Sequence, residues 1–330
     1  MQNLEVTFDF MNEFWQSGQP SDHPSATDMM RDWSREGLLS RAVNAGVVME
    51  SKVSLKGLSE EERTLALHKI EQELEKDLTK SGPHRKEAWE EGWKDSLTDF
   101  RTTRTKQSLT PGYFERSNIV RLKDELFQVA TGESEAILLG FLVDLIVETS
   151  RQLYSFENIH EFGCGTGIHV RRLAKRYKAA TVTGYDWATS SQELVNEIRE
   201  SEGLANLRAR NFDFFSPDPS VDIGAGDAVL TVAALEQTGS SFGLFLDTLI
   251  SKRPKLVINI EPIEELLDTT TQLGLLSAEY FRKRNYLSGF FQALVDKEAS
   301  EELTILHSGR SGLGSLFIEG YSIVVWSPRR

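Results

Sequence analysis

The stretch Ile159-His160-Glu161-Phe162-Gly163-Cys164-Gly165-Thr166-Gly167 decides the fold. A short apolar strand, Asn158 to Phe162, carries an acid near its end, three glycines follow at alternate positions, and a helical pattern begins at Ile168. Glycine removes the Cβ that would hold a ligand off the backbone. The first turn of the following helix then offers free N–H groups and a positive dipole end, which suits a carboxylate. A dinucleotide fingerprint wants its third glycine three residues after the second, and Ile168 stands there instead.

The next acids extend the pattern. Ala180 to Asp186 reads as a second strand, and Asp186 follows Gly167 by 19 residues, near the spacing of a ribose-binding acid in a doubly wound sheet. A carboxylate there can accept from both ribose hydroxyls. A third strand, Asn206 to Phe212, runs into Asp213. Acids at three successive strand ends point to cofactor binding more than to turn capping.

E-x-G-x-G-x-G resembles the first motif of class I S-adenosylmethionine-dependent methyltransferases. The resemblance covers Asn158 to Pro328 and implies a Rossmann-like α/β sheet, mostly parallel with its last strand antiparallel. It implies S-adenosyl-L-methionine as cofactor and Glu161, Gly163, Gly165, Gly167, Asp186, Trp187, Asp213 and Phe214 as its contacts, with Asp213 near the adenine amino group. Gly184-Tyr185-Asp186-Trp187, Ala234-Leu235-Glu236-Gln237, Ile260-Glu261-Pro262-Ile263-Glu264, Arg284-Asn285-Tyr286-Leu287 and Gly314 to Tyr321 are similar to a bacterial group of sugar or small-molecule O-methyltransferases.

Composition narrows the rest. The 330 residues exceed one average domain, and 39% hydrophobic content supports a large core. A net charge of −13 argues against nucleic-acid partners. The basic runs Arg101 to Lys106 and Arg171 to Lys178 read as solvated faces. Apolar runs fall short of the roughly 20 residues of a membrane span, and Met1 to Glu5 carries no signal-peptide pattern. The single cysteine, Cys164, forms no internal disulfide and sits in the glycine loop, where a small residue is needed. A cytoplasmic protein with a small-molecule substrate and no membrane partner is the expectation.

The chain divides into a helix-rich front, 1–110, and a methyltransferase domain, 111–330. The front is expected to form a lid over the cleft or a homodimer surface. Its helix from Leu58-Ser59-Glu60-Glu61-Glu62 runs to Leu78, with Leu65, Leu67, Ile70, Leu74 and Leu78 on one side. Tryptophans 15, 33, 89 and 93 read as packing residues or as part of such a lid. Tyr113 to Val129 and Ser134 to Leu153 read as helices before the first strand, with Tyr113, Arg121 and Thr131 folding back over the cofactor. Leu276 to Glu298 reads as one long helix. The link Ser308 to Gly320 holds four glycines and suits antiparallel pairing of the last two strands.

A hydroxyl acceptor must lose its proton as it attacks the methyl group. Glu236 and Glu261, past the fourth and fifth strands, are the expected proton acceptors, with His307 as a third candidate and Tyr286 in reserve. His160 reads as a core histidine and His169 as a cofactor neighbour. No metal-ligand spacing occurs in these segments, so no metal is expected. The acids Glu236, Glu261, Glu264 and Glu265 keep open N-methylation of a cationic amine, guanidine or peptide acceptor. A nicotinamide-dependent oxidoreductase and a non-catalytic binding protein of the same fold are the alternatives of other classes.

Overall fold

The computed structural model describes residues 3–6, 47, 53–122, 124–131 and 133–329. Trp15 and Trp33 lie outside them. The front half begins with strands β1 (Asn3–Val6) and β2 (Val53–Gly57), then helix α1 (Glu60–Leu74). A capping box starts α1: Glu62 N donates to Ser59 Oγ at 3.2 Å and Ser59 N to Glu62 Oε2 at 2.8 Å. The helix ends at Leu74, short of Leu78, and its buried residues are Ala66, Ile70 and Leu74. Leu65 is 64% exposed and Ala66 is buried in its place, whereas Ile70 and Leu74 face inward as expected and Leu67 and Leu78 pack beside them. Helix α2 (Lys86–Thr103) follows a short 3-10 turn at Pro83–Arg85.

The expected helix from Tyr113 to Val129 is a correction. A 3-10 turn at Gly112–Arg116 leads into a hairpin, β3 (Ile119–Leu122) and β4 (Glu125–Gln128). The long helix α3 (Glu133–Tyr154) then enters the main sheet. That sheet is assembled from β5 (Ile159–Phe162), α4 (Ile168–Arg176), β6 (Val182–Asp186), α5 (Thr189–Glu202), β7 (Leu207–Asn211), β8 (Ala228–Val232), α6 (Gly243–Lys252) and β9 (Leu256–Glu261). Helices α7 (Gln272–Arg284) and α8 (Phe290–Ala299) replace the single helix expected there, because Asn285 takes a left-handed conformation (φ 53°) and Gly289 another (φ 76°). Strands β10 (Leu303–Gly309), β11 (Leu313–Ser315) and β12 (Ser322–Pro328) close the chain.

Among the described residues there are two sheets. The seven-stranded one has the order β10-β12-β9-β8-β5-β6-β7. Its pairs are parallel from β9 to β7, whereas β12 runs antiparallel to both β9 and β10. This is the sheet that the resemblance implies. Helices α3, α4 and α5 bury one face, and α6 and α8 bury the other. A polar ladder is satisfied inside it: Trp326 Nε1 donates to Asn259 Oδ1 at 2.9 Å, and Asn259 Nδ2 to Thr231 Oγ1 at 2.9 Å.

The second sheet, β1-β2-β4-β3-β11, was not anticipated. It takes strands from both sides of residue 110, and β11 comes from the glycine-rich link between β10 and β12. Gly314 is required there, since a Cβ would lie 2.0 Å from the Ile318 carbonyl oxygen. Arg121 belongs to this architecture and not to the cofactor. Its buried guanidinium donates to Leu273 O, Ser277 Oγ and Leu316 O, pinning β3 to α7. Thr131 is exposed and starts the turn into α3.

Candidate active site

The parallel strands end at one edge, and the loops leaving them meet the front half of the chain. Gly163, Gly165 and Gly167 all have left-handed φ (73°, 53° and 75°), so each needs glycine on backbone grounds alone. A Cβ on Gly163 would sit 2.4 Å from Ala234 Cβ, and one on Gly167 would sit 2.7 Å from Val195 Cγ2. Those two glycines therefore let protein approach protein. Gly165 faces α2, where Trp93 would lie 2.9 Å from its Cβ. Cys164 packs on Gly184 and touches Ser191 at 3.7 Å, as a small buried residue.

Asp186 fastens this loop. Its Oδ2 accepts from Gly165 N and its Oδ1 from Ala188 N, each at 2.9 Å. Burial pushes its carboxyl up to about 6 even though both backbone bonds pull it down. Glu161 is 1% exposed, and its carboxyl faces the Val170 amide in the first turn of α4. Burial, opposed by that amide and reinforced by Asp186, holds it well above the usual carboxylate range. Its Oε2 is buried without a hydrogen-bond partner.

Helix α2 lies across the site. Trp89 and Trp93 stack at 5.2 Å and line a narrow cavity of about 60 Å³ together with Asp186, Trp187, Phe214 and Gln237. Ala188 cannot cap α5 with a side chain, and Glu90 of α2 does so instead. Its carboxylate accepts from Thr189 N at 2.7 Å and Ser190 N at 3.0 Å. Farther along, Arg101 and Arg104 reach Glu193 and Glu197 at 2.8–3.2 Å. Helix α2 thus packs over the glycine loop and the start of α5. Asp213 sits at the edge, its Oδ1 accepting from Phe215 N at 2.9 Å and its Oδ2 lying 3.9 Å from Lys86.

Beyond the glycine loop opens a cavity of about 710 Å³, within the roughly 300–1,000 Å³ of small-molecule sites. Glu135, Glu161, Glu236, Tyr113, Tyr286 and Tyr321 all line it. Tyr113 is 41% accessible overall, and burial of its hydroxyl, together with Glu236 and Glu135, raises that group's pKa. Tyr321 Oη donates to Glu135 Oε1 at 2.8 Å, and burial lifts Glu135 to about 7 against that bond. His169 lines the same space and is held neutral, its pKa lowered by burial and by Arg172 to about 3.

The two expected proton acceptors differ sharply. Glu261 is 0% exposed and does not line the cavity. Its Oε1 accepts from Leu235 N at 3.1 Å, its Oε2 from Glu236 N at 3.3 Å, and both from Ala234 N at 3.1–3.2 Å. It is a strap for the turn after β8, where Ala233 is strained at φ 46°. Glu236 does line the cavity, takes a bond from Gln237 Nε2 at 3.0 Å, and interacts directly with Glu261. Burial and the neighbouring Glu261 hold its carboxyl well above the usual range, so it is the proton-carrying member of the pair.

His307 is elsewhere. It lies at a register shift in β10, opposite Val325, and is not among the residues lining either cavity. Burial lowers it to about 4. His160 is the core histidine expected, with Nε2 3.1 Å from Asp227 Oδ2 and Tyr185 Oη 3.3 Å from Nδ1. Sequence reasoning assigned no site role to Glu135, Tyr321, Arg85, Arg116 or Arg284. Arg284 and Tyr321 lie in segments that carried the resemblance, and Glu135 is an acid near the start of an apolar helix.

Among the described residues no group of three or more His, Cys, Asp or Glu is placed to hold a metal ion, and no helix is long and apolar enough to cross a membrane.

No family model matches the chain, and no curated protein matches it. Solved structures do. Magnesium protoporphyrin IX methyltransferase from Synechocystis PCC 6803, with bound SAH, is 16% identical over 62% of this chain and 89% of its own, with a TM-score of 0.44. A [4+2]-cyclase is 15% identical over 57% and 80%, with a TM-score of 0.43. A SAM-dependent methyltransferase from Aquifex aeolicus is 13% identical over 57% and 97%, with a TM-score of 0.37. The sheet order itself defines a class I methyltransferase fold.

Proposed function

We propose that the protein transfers the methyl group of S-adenosyl-L-methionine to a hydroxyl of a small molecule, a sugar or natural-product intermediate. One observation carries the reading. The glycine loop with Glu161, and the carboxyl of Glu236, open into the same cavity.

The residues fit the cofactor. Glu161 keeps a buried carboxylate oxygen without a partner, suited to an ammonium group. Asp186 can accept from ribose hydroxyls, Trp187 and Phe214 offer aromatic faces to a base, and Gly165 lets backbone come close. The narrow cavity beside Asp186 is far smaller than a nucleoside, so Trp89 and Trp93 must shift from the loop to admit one. When bound, the cofactor supplies an activated methyl group and a positive charge that favours the ionised form of Glu236.

Glu236 then takes the acceptor's proton, while Glu261 holds the turn that aims it. His169, neutral at physiological pH, can accept a hydrogen bond but adds no charge. The front region acts as the lid. Methylation of a cationic amine is the second reading, favoured by the three buried carboxyls Glu135, Glu161 and Glu236.

Calorimetry with S-adenosylhomocysteine, followed by transfer of labelled methyl groups to sugar and amine panels, tests the proposal. Absence of any S-adenosylhomocysteine binding would sink it. Binding with no transfer to any acceptor would favour the non-catalytic alternative.

A further inference from the structure

The chain carries a net charge of −13, and many of its described arginines sit against carboxylates. Arg101, Arg104, Arg171, Arg172 and Arg310 all contact carboxylates. The three arginines that line the large cavity do not: Arg85, Arg116 and Arg284 form no ion pair with a described carboxylate. The Nε atoms of Arg85 and Arg284 are moreover buried and lack any hydrogen-bond partner.

The fold brings the segments that bear two of them together. Ser81 N donates to Arg284 O at 2.7 Å and Asn285 Nδ2 to Ser81 O at 3.2 Å, so the segments bearing Arg85 and Arg284 are fastened to each other. The Arg284 guanidinium lies 5.3 Å over the Tyr286 ring. Tyr280, one turn earlier on α7, senses the charges of both Arg284 and Arg116 and lines the same wall. The buried, unpartnered Nε–H groups of Arg85 and Arg284 are costly. An anion relieves both, and the guanidinium fork matches phosphate and carboxylate oxygens two at a time.

We infer that Arg85, Arg116 and Arg284, with the Tyr280 hydroxyl, form an anion subsite, and that the acceptor carries a phosphate or carboxylate besides the atom that receives the methyl group. The word acceptor rests on the methyl-transfer reading; the anion subsite does not. One cavity joins the arginine wall to Glu236 and the glycine loop, so a single small molecule can engage all three.

The test is calorimetry at low salt, with S-adenosylhomocysteine present, using inorganic phosphate, glucose 6-phosphate, glucuronate and neutral glucose. The proteins are wild type, R85Q, R116Q, R284Q, the triple variant and the control R282Q, whose arginine meets Glu264 on the outside of α7 at 3.6 Å. At least one anion should bind wild type more tightly than glucose does. R284Q and R85Q should weaken it by about tenfold or more, R282Q should not, and S-adenosylhomocysteine affinity should stay within about threefold. A tighter glucose 6-phosphate identifies a phosphate ester, and a tighter glucuronate identifies a carboxylate.

The inference is overturned if no anion outbinds glucose, or if anion binding survives in the triple variant. It is also overturned if the arginine variants lose S-adenosylhomocysteine and keep the anion, since the arginines would then serve the cofactor. Should R284Q fail to fold by circular dichroism, R284K replaces it and should retain charge-driven binding while losing the preference for forked oxygens. Anion binding in a wild type that ignores S-adenosylhomocysteine would end the methyl-transfer reading and leave the subsite standing.

Discussion

Replacing Glu261 by glutamine separates a catalytic carboxylate from a structural one. Three backbone N–H groups of the turn after β8 converge on this side chain through both of its oxygens. Glutamine keeps one oxygen and turns an NH2 toward the donors, so either Leu235 or Glu236 loses its acceptor. An orphaned buried donor costs roughly 1–3 kcal/mol, and the remaining bonds lose their charge assistance. Relief of a buried charge offsets part of this, and the net expectation is a loss of about 2–4 kcal/mol. For a chain of this size that lowers the melting temperature by about 3–6 °C. Alanine, which orphans all three donors, should cost more.

Glu236→Gln is the matched partner. Its amide can donate to Glu261 where the shared proton now lies, so stability should move by less than about 1 kcal/mol. Turnover should nevertheless fall about 10²–10⁴-fold with S-adenosylhomocysteine affinity unchanged, as for removal of a general base. Thermal and urea unfolding, run beside steady-state kinetics, read both effects. If Glu261→Gln melts like wild type and loses turnover while Glu236→Gln stays active, the roles are reversed and the strap assignment is wrong.

Four further outcomes are expected. Asp186→Ala should weaken S-adenosylhomocysteine by about 1.5–3 kcal/mol in calorimetry. In wild type the same affinity should fall as pH drops through about 6, because burial has raised this carboxyl and its protonated form accepts poorly from ribose. The stability sign is opposite: ionised Asp186 is a burden above that pH, one that fades toward the ordinary carboxylate value. Gly165→Val should abolish cofactor binding and, because any Cβ meets Trp93, also detach α2, seen as a lower melting temperature; unchanged S-adenosylhomocysteine affinity would remove this loop from the site. A chain starting at Gln107 loses α2 and the apolar groups Leu97 and Phe100, so it should bind an apolar dye and lose turnover before all cofactor affinity; normal turnover would refute the lid.

What could be read from the chain was local. The strand, glycine turn and helix from Ile159 onward are punctuated by residues whose backbone needs are their own, and Asp186 lies at a distance set by one strand–helix–strand unit. The β3–β4 hairpin escaped because Leu122 to Glu125 holds no glycine, asparagine or proline, and because Arg121 breaks the apolar pattern while being buried. Glu236 and Glu261 looked equivalent as acids past adjacent strands. Their difference arises from where the turn after β8 folds, a tertiary fact. The Trp89 and Trp93 pair has the spacing of a core stripe, and only docking of α2 on the glycine loop shows what it covers. The arginine wall combines three separate segments, so no spacing could reveal it.

Glu90 gives α2 a thermodynamic grip on the first turn of α5. A helix that borrows its N-terminal cap from the cover is weakened whenever the cover lifts, and α5 begins directly beyond Asp186. Departure of a nucleoside and fraying of that first turn are therefore linked, and linkage runs both ways. Whatever steadies α5 slows escape of the spent cofactor, and whatever loosens α2 speeds it. Such an enzyme would work as a latch, completing its first turnover in a burst and then waiting at the rate at which the latch opens.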